Sequence, residues 1–234
     1  MWNNPALLKN IADALFAVSV LAALYGAGHY VVHQPGLFPL DSVRLDTAPQ
    51  RVAAEEVRAV VRSEVRGNLF TVDIDRLRLS LEKLPWVRSV SVHREFPHGL
   101  AVRLEEHQAL ARWNGNALVN LQGEVFAAES EQTLPMFIGP EGTSLVVSQY
   151  YEQFSQQLAP LSLQISQVAL SPRHAWRLRL SNDLTLELGR EEMQQRLARF
   201  VTVYPYSLAT MQDSIKYVDL RYRNGFAAGS AIKS

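Results

Sequence analysis

Apolar residues form one long continuous stretch near the start of the chain. No Asp, Glu, Lys or Arg occurs between Asp13 and Asp41, and Ala14–Val32 contains a single histidine. Nineteen helical residues at 1.5 Å each span about 28 Å, close to the hydrocarbon thickness of a bilayer. This pattern predicts one transmembrane helix over residues 14–34, preceded by a short stub, residues 1–13, on the cytoplasmic side.

Two other interpretations of this stretch stay open. A cleaved signal peptide needs a basic start, a shorter apolar stretch and small residues at the cleavage site. Only Lys9 is basic here, although small residues occupy positions 22, 23, 26 and 28. A buried core helix is the second alternative. The length of the stretch favours the membrane anchor, with the functional part of the chain outside.

Between residues 38 and 107 the spacing of apolar positions changes between strand and helix periods. A short strand is predicted at Leu40–Leu45, a helix after Pro49, and a second helix that Asp73 caps. Two strands with period-2 alternation follow, joined by a turn at residues 97–99. The predicted order is β-α-α-β-β in one domain, residues 38–107.

Hairpins and longer helices characterise the next part of the chain, residues 108–225. Short antiparallel strands flank Gly-containing turns, and a clearer hairpin turns at Asn182-Asp183. Two helices are predicted, of which the second stops at Pro205, and the last element is a strand, Ile215–Tyr222. We expect an α+β fold: a transmembrane helix, the βααββ domain, a second mixed, mainly antiparallel β domain, and a tail, residues 226–234, without packed core.

Composition and charge exclude several classes of function. Lys+Arg and Asp+Glu both number 23, so the net charge is zero and gives no field for collecting nucleic acid. The chain has no cysteine, which excludes disulfides, thiolate zinc sites, iron–sulfur clusters and cysteine nucleophiles. We expect no nucleic-acid partner and no sulfur chemistry.

Candidate catalytic patterns are weak. Ser80-Leu81-Glu82-Lys83 has the Ser-x-x-Lys pattern of penicillin-binding proteins, but Lys-Thr-Gly is absent. The six histidines have no metal spacing such as H-E-x-x-H. The two side chains within Glu105-Glu106, and those within Glu191-Glu192, do not face one another as a catalytic acid and base would. Gly26-Ala27-Gly28 lies within the anchor, where helix packing explains it better than a nucleotide-binding loop. We expect no enzyme activity, cofactor or metal.

Short segments in both halves of the chain carry a family resemblance. Asn68–Asp73, Leu84–Val87, Val90–Val92 and Phe96-Pro97 resemble the polypeptide-transport-associated (POTRA) domain of the FtsQ/DivIB family of bacterial division proteins. Further segments follow in the family's order: Ala111–Asn114, Leu134–Met136, Gly139–Gly142, Leu188–Arg190, Arg196–Phe200 and Tyr217–Tyr222. The resemblance covers nearly the whole chain, and the closing Tyr-Val-Asp-Leu-Arg-Tyr motif is quite specific.

The resemblance implies a single-pass protein of the inner membrane with its bulk in the periplasm at the division septum. Members of the family are essential scaffolds without catalytic activity. They bind FtsB and FtsL, and they connect early division proteins such as FtsK to the septal peptidoglycan synthases FtsW and FtsI. The FtsB contact lies on the last strand of the second domain and beside it, and a face of the POTRA domain serves recruitment.

The candidate FtsB-binding residues follow from this resemblance and from residue type. The resemblance assigns Arg173, Tyr222 and Gly229 to the contact; Asn224 stands in place of a usual serine, and Ser230 in place of a tryptophan. Tyr and Arg dominate interface hot spots, and an uncovered terminal strand can pair with another chain. The set is therefore completed on the predicted last strand by Tyr217 and Arg221.

The candidate recruitment residues lie in the first domain. The resemblance assigns Ile74, Val92 and Arg94 to this role, although Val92 could equally be a core residue. A competing hypothesis for the whole chain is a POTRA-type polypeptide-transport or outer-membrane assembly module that works by the same edge-strand pairing. That hypothesis predicts tandem POTRA repeats or a run of membrane strands, and the sequence contains neither.

Overall fold

A long apolar helix opens the part of the chain that the computed structural model describes, residues 5–34, 36–209, 214–223 and 225–230. This helix, α1 (Pro5–Val32), includes much of the predicted stub, and proline is well tolerated in a first helical turn. Its stretch Leu8–Val32 is long and apolar enough to cross a membrane once, and none of it is buried within the protein. The predicted single apolar helix is confirmed.

The chain divides into two compact units, one up to Glu106 and the other from His107. After α1, the first unit contains five elements: β1 (Ser42–Leu45), α2 (Ala54–Glu64), α3 (Ile74–Leu81), β2 (Val87–Glu95) and β3 (Gly99–Glu106). Strand β3 lies in the middle of the sheet, parallel to β1 and antiparallel to β2. The predicted β-α-α-β-β order is confirmed.

Local capping and one long-range contact fix this arrangement. The side chain of Asp73 accepts a hydrogen bond from the backbone N–H of Arg76 at 2.9 Å, as the predicted N-cap requires. At the far end of β3, the carboxylate of Glu106 accepts hydrogen bonds from the backbone N–H groups of residues 50–52. Burial opposes ionisation, but these backbone donors lower the pKa of Glu106 overall. The chain entering α2 is thereby tied to the end of β3.

The described part of the second unit contains a nine-stranded mixed sheet and two α-helices. Its strands are β4 (Ala109–Trp113), β5 (Ala117–Asn120), β6 (Val125–Phe126), β7 (Met136–Ile138), β8 (Ile165–Leu170), β9 (Trp176–Leu180), β10 (Thr185–Gly189), β11 (Tyr217–Asp219) and β12 (Ala227–Gly229). They are arranged in the order β12-β11-β10-β9-β8-β7-β4-β5-β6. Five neighbouring pairs are antiparallel and three parallel, so the predicted mainly antiparallel domain is confirmed.

Two helices, α4 (Ser144–Leu158) and α5 (Met193–Ser207), supply one side of the core of this unit. Helix α4 packs against α5 and β8, and α5 packs against β10. Phe154 and Phe200 are fully buried, as are the leucines that alternate along β9 and β10. A short 3₁₀ helix, Ala159–Leu161, follows α4. Because the helices cover this face, the opposite face of the sheet carries the polar residues of β9–β11.

The predicted end of α5 at Pro205 is wrong. The helix continues to Ser207, and the backbone N–H of Leu208 donates to the carbonyl of Tyr204 at 3.0 Å. A proline removes one helical hydrogen bond, but this one lies in the last turn. Tyr204 and Leu208 are both buried, so their packing offsets the lost bond.

Three strands were not anticipated by the sequence pattern: β7, β8 and β12. Strand β7 has three residues, too few to show alternation. The register of β8 shifts between Ile165 and Gln167, which breaks the period of two on which recognition of a strand depends. The third, β12, consists of alanine and glycine, which carry no alternation signal.

Candidate partner-binding surface

The outermost strand at one side of the large sheet is β12. Among the described residues it pairs only with β11, in an antiparallel register that places Gly229 opposite Tyr217. Ala227 and Ala228 are exposed, and Gly229 is half-buried. An outermost strand has backbone groups on its free side that another chain can pair with. Its small side chains allow such a chain to approach closely.

The predicted terminal strand, Ile215–Tyr222, is therefore corrected in two respects. Only Tyr217–Asp219 forms a strand, and it lies between β10 and β12 instead of at the edge. The chain turns back after Tyr222 and adds β12, and Phe226 packs against the core. The expectation of a tail without packed core fails for this reason: the backbone of β11 gains a second partner from the chain itself.

Beside this edge, one face of the sheet is polar. The registers align Arg177 of β9 with Glu187 of β10, and Glu187 with Asp219 of β11. We call this the outer face, and it consists of Arg177, Arg179, Thr185, Glu187, Tyr217 and Asp219. Glu187 and Asp219 are both buried, at 8% and 7% exposure. Since buried carboxylates need partners, each is paired with an arginine.

Asp219 holds Arg221 in a fixed position. Arg221 donates from Nε to Oδ1 at 2.9 Å and from Nη2 to Oδ2 at 2.7 Å, and its backbone N–H donates to Oδ1 at 3.0 Å. These hydrogen bonds lower the pKa of Asp219 and raise the pKa of Arg221, against the opposing effect of burial. The bidentate geometry is the strong form of an arginine–carboxylate pair. It presents a half-exposed guanidinium at the end of β11 with little freedom left to lose on binding.

Tyr217 is half-buried on the outer face, between Thr185 of β10 and Gly229 of β12. Burial raises the pKa of Tyr217, and the neighbouring carboxylates of Asp219 and Glu187 add to the effect. Its hydroxyl therefore stays protonated at neutral pH and can act as a donor. Tyr217 forms part of the surface beside β12, as a residue of an inner strand.

Tyr222 lies just beyond β11 and is 57% exposed. Helix α5 holds the backbone here, because Arg199 donates to the carbonyl of Tyr222 at 3.4 Å and to the carbonyl of Arg223. In a strand that continued to Tyr222, alternation would place Val218, Leu220 and Tyr222 on one face. Val218 and Leu220 are buried. Because the strand ends at Asp219, Tyr222 does not follow the alternation of the strand, and its ring faces solvent.

Arg196 and Arg199 of α5 were not singled out individually from the sequence. Arg196 donates to the carbonyl of Leu188 at 2.7 Å. Next to it, Gly189 has φ of +74°, and a Cβ there would lie 2.8 Å from Arg196 Nη1 and 3.2 Å from Arg221 Cγ, so both backbone shape and space require glycine. The available signal was the spacing of three between the two arginines, which places them on one helix face.

A groove of about 360 Å³ lies between α5 and the segment that joins β11 to β12. Its lining combines arginine with apolar side chains: Arg196, Ala198, Arg199, Thr202, Val203, Leu220, Gly225 and Phe226. This lining suits a peptide segment that carries an acidic and an apolar side chain. Two of its lining residues, Gly225 and Phe226, lie between Tyr222 and β12 in the sequence.

The remaining predicted FtsB-contact residues are placed as follows. Arg173 is exposed in the turn between β8 and β9. This turn lies at the same end of the sheet as Arg221, because β9 starts at Trp176, Trp176 pairs with Gly189, and Gly189 adjoins Arg221. Asn224 lies outside the described residues.

The three recruitment candidates have different environments. Val92 is buried in the core of the first unit, and Ile74 is half-buried against that core. Arg94 is exposed, and its guanidinium donates to the carbonyls of Leu69, Phe70 and Val72, the first at 2.7 Å. Arg94 therefore fixes the loop before α3, and Val92 packs β2 against the core of the first unit.

Residues considered for catalysis have structural partners. Ser80 Oγ donates to Glu64 Oε1 at 3.2 Å, and the same carboxylate pairs with Arg76 at 2.7 Å. Within the described ranges no group of three or more His, Cys, Asp or Glu side chains is arranged to hold a metal ion.

Comparison with known proteins matches both units to one family. Residues 38–107 match the family described as POTRA domain, FtsQ-type, and residues 111–221 match Cell division protein FtsQ/DivIB, C-terminal. Cell division protein FtsQ of Nitrosospira multiformis is 42% identical over 97% of this chain and 98% of its own length. The Burkholderia pseudomallei protein of that name is 41% identical over 99% and 95%, and the Escherichia coli one is 34% identical over 94% and 84%. The chain belongs to the FtsQ/DivIB family of cell division proteins.

Proposed function

We propose that this protein is a single-pass scaffold of the division machinery, anchored by α1 in the inner membrane with its bulk in the periplasm at the septum. It binds FtsB and FtsL, and through them it links early division proteins such as FtsK to septal peptidoglycan synthesis by FtsW and FtsI. Family membership and the apolar helix α1 support the division role and the anchor.

The β12 edge is the observation that carries the proposed FtsB contact. A strand of FtsB adds to the free side of β12, where Ala227 and Ala228 are exposed. Backbone hydrogen bonds give such a contact its affinity, and neighbouring side chains give it specificity. Here the neighbours are the exposed ring of Tyr222 and the guanidinium of Arg221.

We expect the surface around the β12 edge to prefer a partner segment with acidic side chains. Arg173, Arg199 and Arg221 lie around the end of the sheet or in the adjoining groove. Because Asp219 already fixes Arg221, a partner carboxylate meets a guanidinium that is positioned in advance. Gly229 adds no side chain that would block the approaching strand.

The proposed recruitment surface is the part of the first unit around α3 and the end of β2. Ile74 and Arg94 reach this surface, and buried Val92 keeps β2 in place. A partner such as FtsK binds here, separately from the β12 edge. Substitutions at Ile74 and Arg94 are expected to impair recruitment while FtsB binding is retained.

The first experiment compares Tyr222→Ala with Tyr206→Ala in the full-length protein in detergent micelles. Tyr206 is a matched control, because it is 88% exposed on α5 of the same unit. Binding to the periplasmic segment of FtsB is measured by calorimetry, and folding is checked by circular dichroism. Loss of a hot-spot tyrosine costs at least about 2 kcal/mol, or roughly thirtyfold in Kd.

The outcomes distinguish the parts of the proposal. A thirtyfold loss for Tyr222→Ala with an unchanged Tyr206→Ala supports both the partner and the site. Equal binding by both variants and the parent chain contradicts the site but retains the partner. Failure of the folded parent chain to bind contradicts the FtsB assignment and favours the transport-module hypothesis.

A further inference from the structure

Three phenylalanine rings form an exposed cluster on the first unit. The rings of Phe38 and Phe70 meet edge to face with centroids 5.0 Å apart, and the centroid of Phe96 lies 5.9 Å from that of Phe70. Phe38 and Phe70 are each 39% exposed, and Phe96 is 65% exposed. Leu37, next to Phe38, is 44% exposed. Contiguous apolar side chains in water mark a surface that contacts another apolar phase.

This phenylalanine cluster is attached to the end of α1. The side-chain amide of Asn68 donates to the carbonyl of Val32 at 2.7 Å and to that of Gln34 at 3.2 Å. The Oδ1 atom of the same side chain accepts from the backbone N–H of Phe70 at 3.0 Å. Asn68 is 1% exposed, so these bonds are shielded from water. The side chain of Asn68 therefore links the loop that carries Phe70 directly to the end of the apolar helix.

The length of α1 sets the depth of this point in a bilayer. From Ala14, which follows the charged Asp13, to Val32 the helix spans about 28 Å, so Val32 falls where the hydrocarbon ends. Tyr30, two residues before this end, is exposed on the helix surface, where an amphipathic ring favours the headgroup layer. The phenylalanine cluster then lies at the level of the lipid headgroups.

The exposed cluster includes a residue whose backbone conformation is energetically unfavourable. Phe38 has φ of +60°, a left-handed conformation that an aromatic residue rarely adopts and that marks candidate functional positions. Its carbonyl accepts from the N–H of Leu69 at 3.0 Å. On the other side, Arg94 holds the carbonyls of Leu69 and Phe70. These contacts prevent the loop from turning its rings inward.

We infer that the phenylalanine cluster, Phe38, Phe70 and Phe96, inserts into the lipid interface beside α1 and docks the first unit on the membrane. Arg66, two residues before Asn68, is exposed and offers a guanidinium to lipid phosphates. The inference rests on the membrane anchor of the proposed function but is independent of FtsB. Docking restricts the tilt of this unit over the membrane, which a flexible tether would not do.

The test uses single-cysteine variants of the full-length chain, which has no cysteine of its own. Phe96→Cys, Leu21→Cys in α1 and Lys83→Cys are each labelled with an environment-sensitive fluorophore. The proteins are reconstituted in phosphatidylethanolamine–phosphatidylglycerol vesicles with and without a nitroxide-labelled lipid. The nitroxide lies near the headgroup for positions 83 and 96 and midway along the acyl chain for position 21. Lys83 is the control, since it is exposed near the start of β2, whereas Phe96 follows its end, about 30 Å away along the strand.

We expect lipid-borne quenching at position 96 to be at least about threefold stronger than at position 83. Phe38→Ser with Phe70→Ser in the Phe96→Cys background is expected to reduce quenching to the Lys83→Cys value, with unchanged circular dichroism. Strong quenching at position 21 with equal weak quenching at 96 and 83 overturns the docking and retains the anchor. Absence of quenching at position 21 overturns the anchor itself. Protection of position 96 from aqueous iodide without lipid quenching overturns the lipid assignment in favour of a protein contact.

Discussion

Replacing Asp219 with asparagine tests how the end of β11 is held. The substitution keeps the size of the side chain and removes its charge. Asp219 is 7% exposed and accepts three hydrogen bonds from Arg221. Asparagine can accept at one oxygen only, and its amide group faces a donor of Arg221 instead of pairing with it.

The expected loss of stability can be worked from these contacts. Hydrogen bonds to a charged group contribute about 1.5–3 kcal/mol each when well shielded. The side chain of Arg221 is 58% exposed, so water screens the pair and rehydrates the guanidinium once it is released. We therefore expect Asp219→Asn to lower the free energy of unfolding by about 1–2 kcal/mol at neutral pH.

The loss depends on pH with a definite sign. The hydrogen bonds from Arg221 lower the pKa of Asp219 in the folded protein, whereas in the unfolded chain it lies near its ordinary value, about 3.9. The stabilisation is therefore complete from about one pH unit above this value and declines progressively as the pH falls from there through the folded-state pKa. Asparagine does not titrate, so the difference between parent and variant shrinks in this range.

The assay is urea unfolding of the full-length proteins in detergent micelles, followed by tryptophan fluorescence between pH 7 and pH 3. Asp183→Asn is the matched control, because Asp183 forms an exposed pair with Arg179 at 3.0 Å; we expect a change within about 0.5 kcal/mol. A stability difference for Asp219→Asn that stays constant down to pH 3, or one no larger than the control, would refute the argument. The same variant is expected to weaken FtsB binding, since Arg221 loses its fixed position.

Two further substitutions test other contacts. Asn68→Ala removes the hydrogen bonds to the carbonyls of Val32 and Gln34 and the one from the N–H of Phe70, all of them partly buried. A loss of about 1–3 kcal/mol and faster hydrogen exchange at the amide of Phe70 are expected; unchanged exchange would contradict the role of Asn68. Pro205→Ala restores a helical N–H near the end of α5 and is expected to stabilise the protein by about 1 kcal/mol, seen as a higher urea midpoint; a lower midpoint would contradict this expectation.

Local signals predicted those elements whose cause is local. Asp73 caps α3, as the sequence indicates, because the capping carboxylate and the N–H that donates to it are three residues apart. The hairpin at Asn182-Asp183 is confirmed, and Asp183 adopts the left-handed conformation that Asp tolerates in turns. The family resemblance identified the order of the two units along the chain. It also included the segment Leu188–Arg190, whose structural role is visible only in the fold. There, Gly189 makes room for Arg196 and Arg221.

The sequence by itself determined the membrane-length helix, the βααββ unit, the hairpins and the family. Tertiary structure alone decided that β12, and not β11, is the outermost strand, that Asp219 fixes Arg221, and that Arg94 and Asn68 hold an aromatic loop at the end of α1. The physical reason is the range of the interactions. Helix periods and turns depend on neighbours within a few residues, whereas strand order and paired charges depend on competition among backbone and side-chain partners far apart in the chain.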